Sequence, residues 1–209
     1  MARGRFITFE GGEGAGKSTQ LKLLAAALAG QGRDVLPTRE PGGATGAEEI
    51  RKLLVSGEPG RWDGVTEALL HFAARRDHLT RTVWPALDAG RWVVSDRFAD
   101  STMAYQGYGH GLGREPIERL YGVTVGDFAP DLTLILDIPP GAGVARAHAR
   151  HDGEDRYERM DLSFHERLRE GFLDIASREP GRCVVIDAGG TVEQVHAAVL
   201  AAVTQRLRP

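Results

Sequence analysis

The stretch Phe6-Ile7-Thr8-Phe9-Glu10-Gly11-Gly12-Glu13-Gly14-Ala15-Gly16-Lys17-Ser18-Thr19, with Leu21, Leu24, Ala25 and Leu28 recurring at helical spacing behind it, decides the fold. Gly11 to Ser18 fits the pattern G-x-x-x-x-G-K-[ST] without a mismatch. The short apolar run before it reads as a strand, and the periodic run after it as a helix ended by Gly30 and Gly32. Glycines in such a loop let backbone N–H groups turn inward around phosphate oxygens, and the helix N-terminus adds partial positive charge. Gly11, Gly12, Glu13, Gly14, Ala15, Gly16, Lys17, Ser18 and Thr19 therefore form the candidate cradle for a nucleoside triphosphate. Lys17 is the group to reach the β- and γ-phosphates, and Ser18 the hydroxyl to hold Mg2+.

Beyond this unit, strand-like and helix-like stretches alternate along the chain. Val35 to Thr38, Trp92 to Ser95, Leu132 to Ile138 and Cys183 to Asp187 read as strands. Ala47 to Leu54, Glu67 to Leu87 and Glu115 to Val125 read as helices, as do the runs marked by Phe164, Leu168, Phe172 and Ile175 and by Val192, Val195, Val199 and Val203. Gln106 to Gly113 is glycine-rich and reads as a loop. Five strands separated by helices predict a doubly wound, five-stranded parallel sheet of the P-loop α/β class with helices on both faces. The 209 residues suffice for one such domain and are short for two. Residues 141 to 160, rich in arginine, histidine and acids, break the alternation and are expected to form a solvated, mobile lid lobe on the single domain.

Composition narrows the function classes. A formal net charge of −3 excludes a globally cationic nucleic-acid binder, so any anion site rests on local clusters and backbone amides. The single cysteine, Cys183, allows no intrachain disulfide and suits a reducing compartment. The amino end has no apolar signal core, and no apolar run approaches the roughly 20 residues needed to cross a bilayer. A cytoplasmic protein with no membrane or nucleic-acid partner is the expectation. The chain contains no asparagine, so the Asn-Lys-x-Asp motif by which signalling GTPases read guanine is missing. A phosphotransferase is the leading reading, and a nucleotide-gated binding switch the alternative of another class.

Further motifs narrow the enzyme. Thr38-Arg39-Glu40-Pro41-Gly42-Gly43 follows the second strand, Asp96-Arg97-Phe98 the third, and Ser101-Thr102-Met103-Ala104-Tyr105-Gln106-Gly107 comes just after. Together with the phosphate loop, in this order and spacing, they resemble the bacterial thymidylate kinase family over almost the whole chain. The resemblance implies transfer of a phosphoryl group from ATP to dTMP with Mg2+, in a homodimer. A kinase for another nucleoside monophosphate or for a deoxynucleoside is the runner-up within enzymes.

Site roles follow from motif position and from the resemblance. Arg39 and Arg97 stand just past strand ends, where doubly wound sheets hold ligands, and each can fork onto phosphate oxygens. The resemblance implies that both clamp the dTMP phosphate and that Glu13 approaches it. Asp96 ends the third strand and is the favoured acidic partner to Ser18 for Mg2+, with Asp137 at the end of the fourth as its rival.

For the base, the family pattern has a phenylalanine four residues before an arginine, which places both on one helix face. Two registers compete here. One pairs His71 with Arg75, the other Phe72 with Arg76. Arg75 is favoured for the base, with His71 or Phe72 as the stacking surface. Thr102 and Gln106 are further candidates for thymine contact, and the resemblance implies that Tyr105 selects deoxyribose. Gly14 stands where some family members carry a catalytic arginine, so that role is expected of the lid, from Arg150 or Arg156.

Overall fold

The computed structural model describes residues 3–58, 60–148 and 156–207. Among them is a five-stranded, wholly parallel sheet in the order β2-β3-β1-β4-β5. The strands are β1 (Phe6–Glu10), β2 (Val35–Arg39), β3 (Trp92–Asp96), β4 (Leu132–Asp137) and β5 (Cys183–Asp187). The central strand β1 is buried along its whole length, because both of its faces are covered.

Alternation along the central strands divides the core in two. Ile7, Phe9, Val94, Leu132, Leu134 and Leu136 pack on one face with α1 (Lys17–Gly30) and α9 (Val192–Leu207). Phe6, Val93 and Ile135 pack on the other with α3 (Gly64–His78), α6 (Arg114–Thr124) and α8 (Leu162–Arg178). Successive side chains on a strand point to opposite faces, so one apolar run serves both cores. The remaining helices are α2 (Thr45–Val55), α4 (Trp84–Asp88), α5 (Ala99–Thr102) and α7 (Pro140–His148).

Three departures from the sequence reading have physical causes. The helix expected over Glu67 to Leu87 is α3 running into α4 through a π-helical stretch, Leu79–Val83. Pro85 at the start of α4 lacks an N–H and cannot close the regular ladder, and the wider turn before it absorbs the mismatch. The first half of the expected loop over Gln106 to Gly113 belongs to a second π-helical stretch, Met103–Gly109, buried apart from its half-buried Tyr108. Glycines on this stretch and on α8 permit close helix packing: a Cβ on Gly109 would stand 2.6 Å from the Phe164 ring, and one on Gly171 of α8 would stand 2.8 Å from Tyr108. Among its described residues the lid lobe is less solvated than expected at three positions: α7 reaches into it with Ala147 buried, and Arg156 and Glu158 are buried as well.

Candidate active site

The phosphate loop leaves β1 at the middle of the sheet, where neighbouring strands β3 and β4 run to opposite sides, the position at which such sheets bind ligands. Gly11, Gly14 and Gly16 all take positive φ. A Cβ on Gly14 would lie 1.9 Å from the Gly143 carbonyl oxygen, and one on Gly143 would lie 2.4 Å from that of Glu13. The loop and α7 therefore touch backbone to backbone, and position 14 has no room for a side chain.

Lys17 is buried and donates to the carbonyls of Gly11 at 3.1 Å and Gly12 at 2.7 Å. Burial and the neighbouring Arg97 charge lower its pKa to about 8, against the pull of Glu13, Asp96 and Glu10. The Ser18 hydroxyl donates to the Asp96 carboxylate at 2.5 Å. Asp137, the rival acid, has both oxygens taken by Arg169, at 2.7 and 2.8 Å.

Arg97 takes a left-handed φ of 70°, a conformation that costs an L-residue roughly 1–2 kcal/mol. Four partners hold it there: the Gly11 carbonyl and Ser101 hydroxyl, each at 3.1 Å, Glu13 at 3.0 Å and the Tyr105 hydroxyl at 2.9 Å. The Tyr105 hydroxyl in turn donates to Glu13 at 2.6 Å. Burial opposes ionisation of Glu13, but Arg97, Lys17 and the Tyr105 hydroxyl hold its pKa at about 2. The guanidinium is thus fixed beside the phosphate loop.

A cavity of about 310 Å³ opens here. Gly14, Gly16, Lys17, Ser18 and Asp96 line it with Arg39, Arg51 and Arg97, and so do His71, Tyr105, Gln106 and Tyr157. Arg39 is 54% exposed at its side chain and leans on Glu48, whose two carboxylate oxygens it contacts at 3.1 and 3.2 Å.

The base-side residues separate the two registers. His71 lines the cavity, whereas Phe72 is 1% exposed and lies in the core with Ala68 and Leu79. Adjacent helix positions diverge by about 100°, so one of the two faces the cleft and the other the core. Phe72 is thereby corrected from stacking surface to core residue: its ring lies 4.7 Å from the Arg75 guanidinium, which it supports from behind. Arg76 turns away, donating to the Thr124 carbonyl and lying over Trp84.

Arg75 is 2% exposed and donates to Glu40 at 2.7 Å, to the Phe98 carbonyl at 3.1 Å and to the Thr102 hydroxyl at 3.0 Å. Its Nη1 is buried and has no partner. Neither Arg75 nor Thr102 lines the cavity, and the Thr102 hydroxyl, expected at thymine, is instead taken up by Arg75.

Burial and the Arg75 charge lower the His71 pKa to about 3, so the ring is neutral at physiological pH. Its Nε2 meets the Tyr157 hydroxyl at 3.2 Å. That hydroxyl gives its one proton to Glu67, so His71 Nε2 must carry its own.

Arg156 departs from the lid expectation. It is 2% exposed and pairs with Glu67, donating also to the carbonyls of Leu54 and Glu58. The cause is Glu67, a carboxylate 0% exposed on α3 that needs a cation beside it. Arg156 therefore anchors the end of the lid and does not project toward phosphate. Arg150, the other lid candidate, lies outside the described residues.

Four participants escaped the sequence reading. Glu40 sits inside the quoted Arg39-Glu40-Pro41 motif, and its carboxylate holds Arg75 on one oxygen and His78 on the other. Arg51 lines the cavity and donates to the Pro41 carbonyl. Its spacing of three from Glu48 on α2 was a usable signal. Tyr157 and Glu67 carried none, since their partners are remote in sequence.

Comparison with known proteins shows the family. A family model described as thymidylate kinase matches residues 9–199. A thymidylate kinase of Caulobacter vibrioides is 55% identical over 207 residues, covering 99% of each chain, and one of Rhizorhabdus wittichii is 51% identical over 205 residues, covering 98% of this chain and 99% of its own. The crystal structure of thymidylate kinase from Ehrlichia chaffeensis superposes with a TM-score of 0.80 at 36% identity, covering 97% of this chain and 99% of that one. With a phosphate loop at the switch point of the sheet, an arginine pinned beside it and full-length relatives of this kind, the chain belongs to the thymidylate kinase family, enzymes of the phosphotransferase type.

Proposed function

We propose that the protein transfers the terminal phosphoryl group of ATP to the 5′-phosphate of dTMP, forming ADP and dTDP for dTTP synthesis. The observation that carries this reading is Arg97, strained and held by Gly11, Ser101, Glu13 and Tyr105 on the wall that it shares with Lys17. It would present a guanidinium to a second phosphate facing the loop.

Both substrates are polyanions, so positioning and charge compensation supply most of the catalysis. The amides of Gly11 to Thr19 cradle the ATP phosphates, and Lys17 exchanges its two loop carbonyls for phosphate oxygens. Arg39 does the same with Glu48 when dTMP enters. Glu13, held anionic, orients Arg97 and Tyr105, and the Tyr105 ring excludes a 2′-hydroxyl. Ser18 and Asp96 offer adjacent oxygens of the kind a hard divalent cation prefers. Ser18 and Asp96 would hold Mg2+ there, and the ion would supply charge neutralisation to the phosphates. His71 gives the base a neutral ring, and Gln106 provides its polar contact. The catalytic arginine expected of the lid is assigned to Arg150, because Arg156 is committed to Glu67.

The working unit is proposed to be a homodimer. Val65 and Leu69, four apart on α3, and Leu53 on α2, which packs against α3, are 53%, 51% and 39% exposed, which supports an apolar contact there. Among the described residues, no helix is long and apolar enough to cross a membrane.

A coupled ADP-release assay across dTMP, AMP, CMP, GMP and free deoxynucleosides tests the assignment. The highest kcat/KM is expected with dTMP. Equal or better turnover of another acceptor overturns it.

A further inference from the structure

We propose that Glu67 is a positioning residue that sets base specificity: by accepting from the Gln106 amide it turns the Gln106 carbonyl oxygen toward the base, and so rejects 4-amino pyrimidines in favour of 4-oxo ones. The proposal rests on the assignment of this cavity to a nucleoside monophosphate.

A glutamine amide can present either its oxygen or its NH2, and the two have nearly the same shape. The choice falls to whatever binds the far side of the group. At Gln106 that partner is Glu67, whose Oε2 accepts from Gln106 Nε2 at 2.9 Å. Glu67 is 0% exposed, and its other neighbours are also donors. The Tyr157 hydroxyl donates to it at 3.2 Å, Arg156 pairs with its Oε1, and His110 Nε2 stands 3.2 Å from its Oε2. An ionised carboxylate only accepts, so Gln106 must keep its NH2 on Glu67. Its Oε1 is then left buried without a partner, on a residue that lines the cavity.

Four residues earlier in the same segment, Thr102 accepts from Arg75 Nη2, and Arg75 Nη1 is a buried donor likewise without a partner. The cavity wall thus offers one unmatched acceptor, Gln106 Oε1, while the unmatched donor of Arg75 lies behind the wall. Thymine and uracil carry an N3–H donor, which satisfies that acceptor. Cytosine carries an N3 lone pair, which opposes it. Buried polar atoms left unpaired, or facing their like, are what allow a site to discriminate strongly between near-isosteres. Glu67 reaches this edge through Gln106, and among the described residues it is the hydrogen-bond partner that holds the Gln106 amide.

The test is kcat/KM for dTMP, dUMP and dCMP in the wild-type protein and in Glu67→Gln, with a melting curve for each. A glutamine at 67 can donate as well as accept, so the Gln106 amide is free to turn. The dCMP-to-dTMP ratio is expected to rise about tenfold or more, while the dUMP-to-dTMP ratio stays at its wild-type value. Glu67→Asp, which still only accepts, is expected to keep both ratios. Should Glu67→Gln not fold with Arg156 left unpaired, Glu67→Gln/Arg156→Gln replaces the ion pair by two amides and reads the same ratio. A folded single or double variant in which all three substrates fall in parallel, or in which dUMP rises with dCMP, overturns the proposal. Failure of the underlying assignment reads differently: wild-type protein would then not favour dTMP at all.

Discussion

Two carboxylates, Glu10 on the phosphate side and Glu67 on the base side, are both fully buried and behave in opposite ways. Burial pushes each toward the neutral form. Around Glu10 the nearby Asp100 adds to that push, and its pKa rises to about 8 despite bonds from the Phe98 amide at 2.7 Å and the Ser101 hydroxyl at 2.5 Å. Around Glu67, His110 and Arg156 reverse the effect of burial and hold it at about 2. The phosphate side is a backbone cradle in which a neutral acid organises the loop after β3. The base side is a wall of side chains organised by an anion and its donors. Depth of burial does not distinguish them; the charge and hydrogen-bonding capacity of the neighbours does.

The largest expected effect tests the backbone side. Lys17→Ala removes the only side-chain cation of the cradle itself and is expected to lower kcat by about 10³-fold or more, with the melting temperature little changed because the loop amides and glycines remain. Near-normal turnover would mean that the loop acts without its lysine. The base side should break differently. Arg156→Ala leaves the Glu67 charge buried and unpaired and is expected to destabilise the fold by about 3–5 kcal/mol in urea unfolding. Arg150→Ala is expected to lower kcat without moving the unfolding midpoint. If Arg156→Ala cuts kcat at full stability, the assignment within the lid reverses.

The smallest effect sharpens the contrast between the two acids. Because folding raises the pKa of Glu10, the stability it contributes is fully present below its ordinary value of 4.5 and is lost as pH rises through about 8. The melting temperature of the wild type minus that of Glu10→Gln is therefore expected to fall between pH 6 and 9, since glutamine stays neutral throughout. Glu67, lowered by folding, contributes stability that is present above pH 4.5 and lost as pH falls through about 2, outside that window. A flat difference curve would show that Glu10 is already ionised in the fold.

Much of the phosphate side was legible beforehand because its chemistry is local. Gly11 to Ser18 is one contiguous run, and strand, loop and helix follow from spacing alone. The base side was legible only as a set of candidates. His71 and Phe72 are neighbours in sequence, and nothing in either residue says which faces the cleft until α3 is laid on the sheet. Gln106 to Gly113 read as a loop because glycine is most often a turn residue. Here the Phe164 ring against Gly109 required its absent side chain. Arg156 read as a lid cation because a charged run is normally solvated, and its partner Glu67 lies 89 residues away.

The sequence by itself determined the phosphate loop, the parallel five-stranded sheet and the arginines at the ends of its strands. These depend on short-range periodicity and on backbone conformations that few residues permit. Only the tertiary structure decided which arginines line the cavity and which pair with a buried acid, and which partner holds the Gln106 amide. Those outcomes depend on pairing charges and donors across long sequence separations in a medium where an unpaired polar group is costly, and no local pattern encodes them.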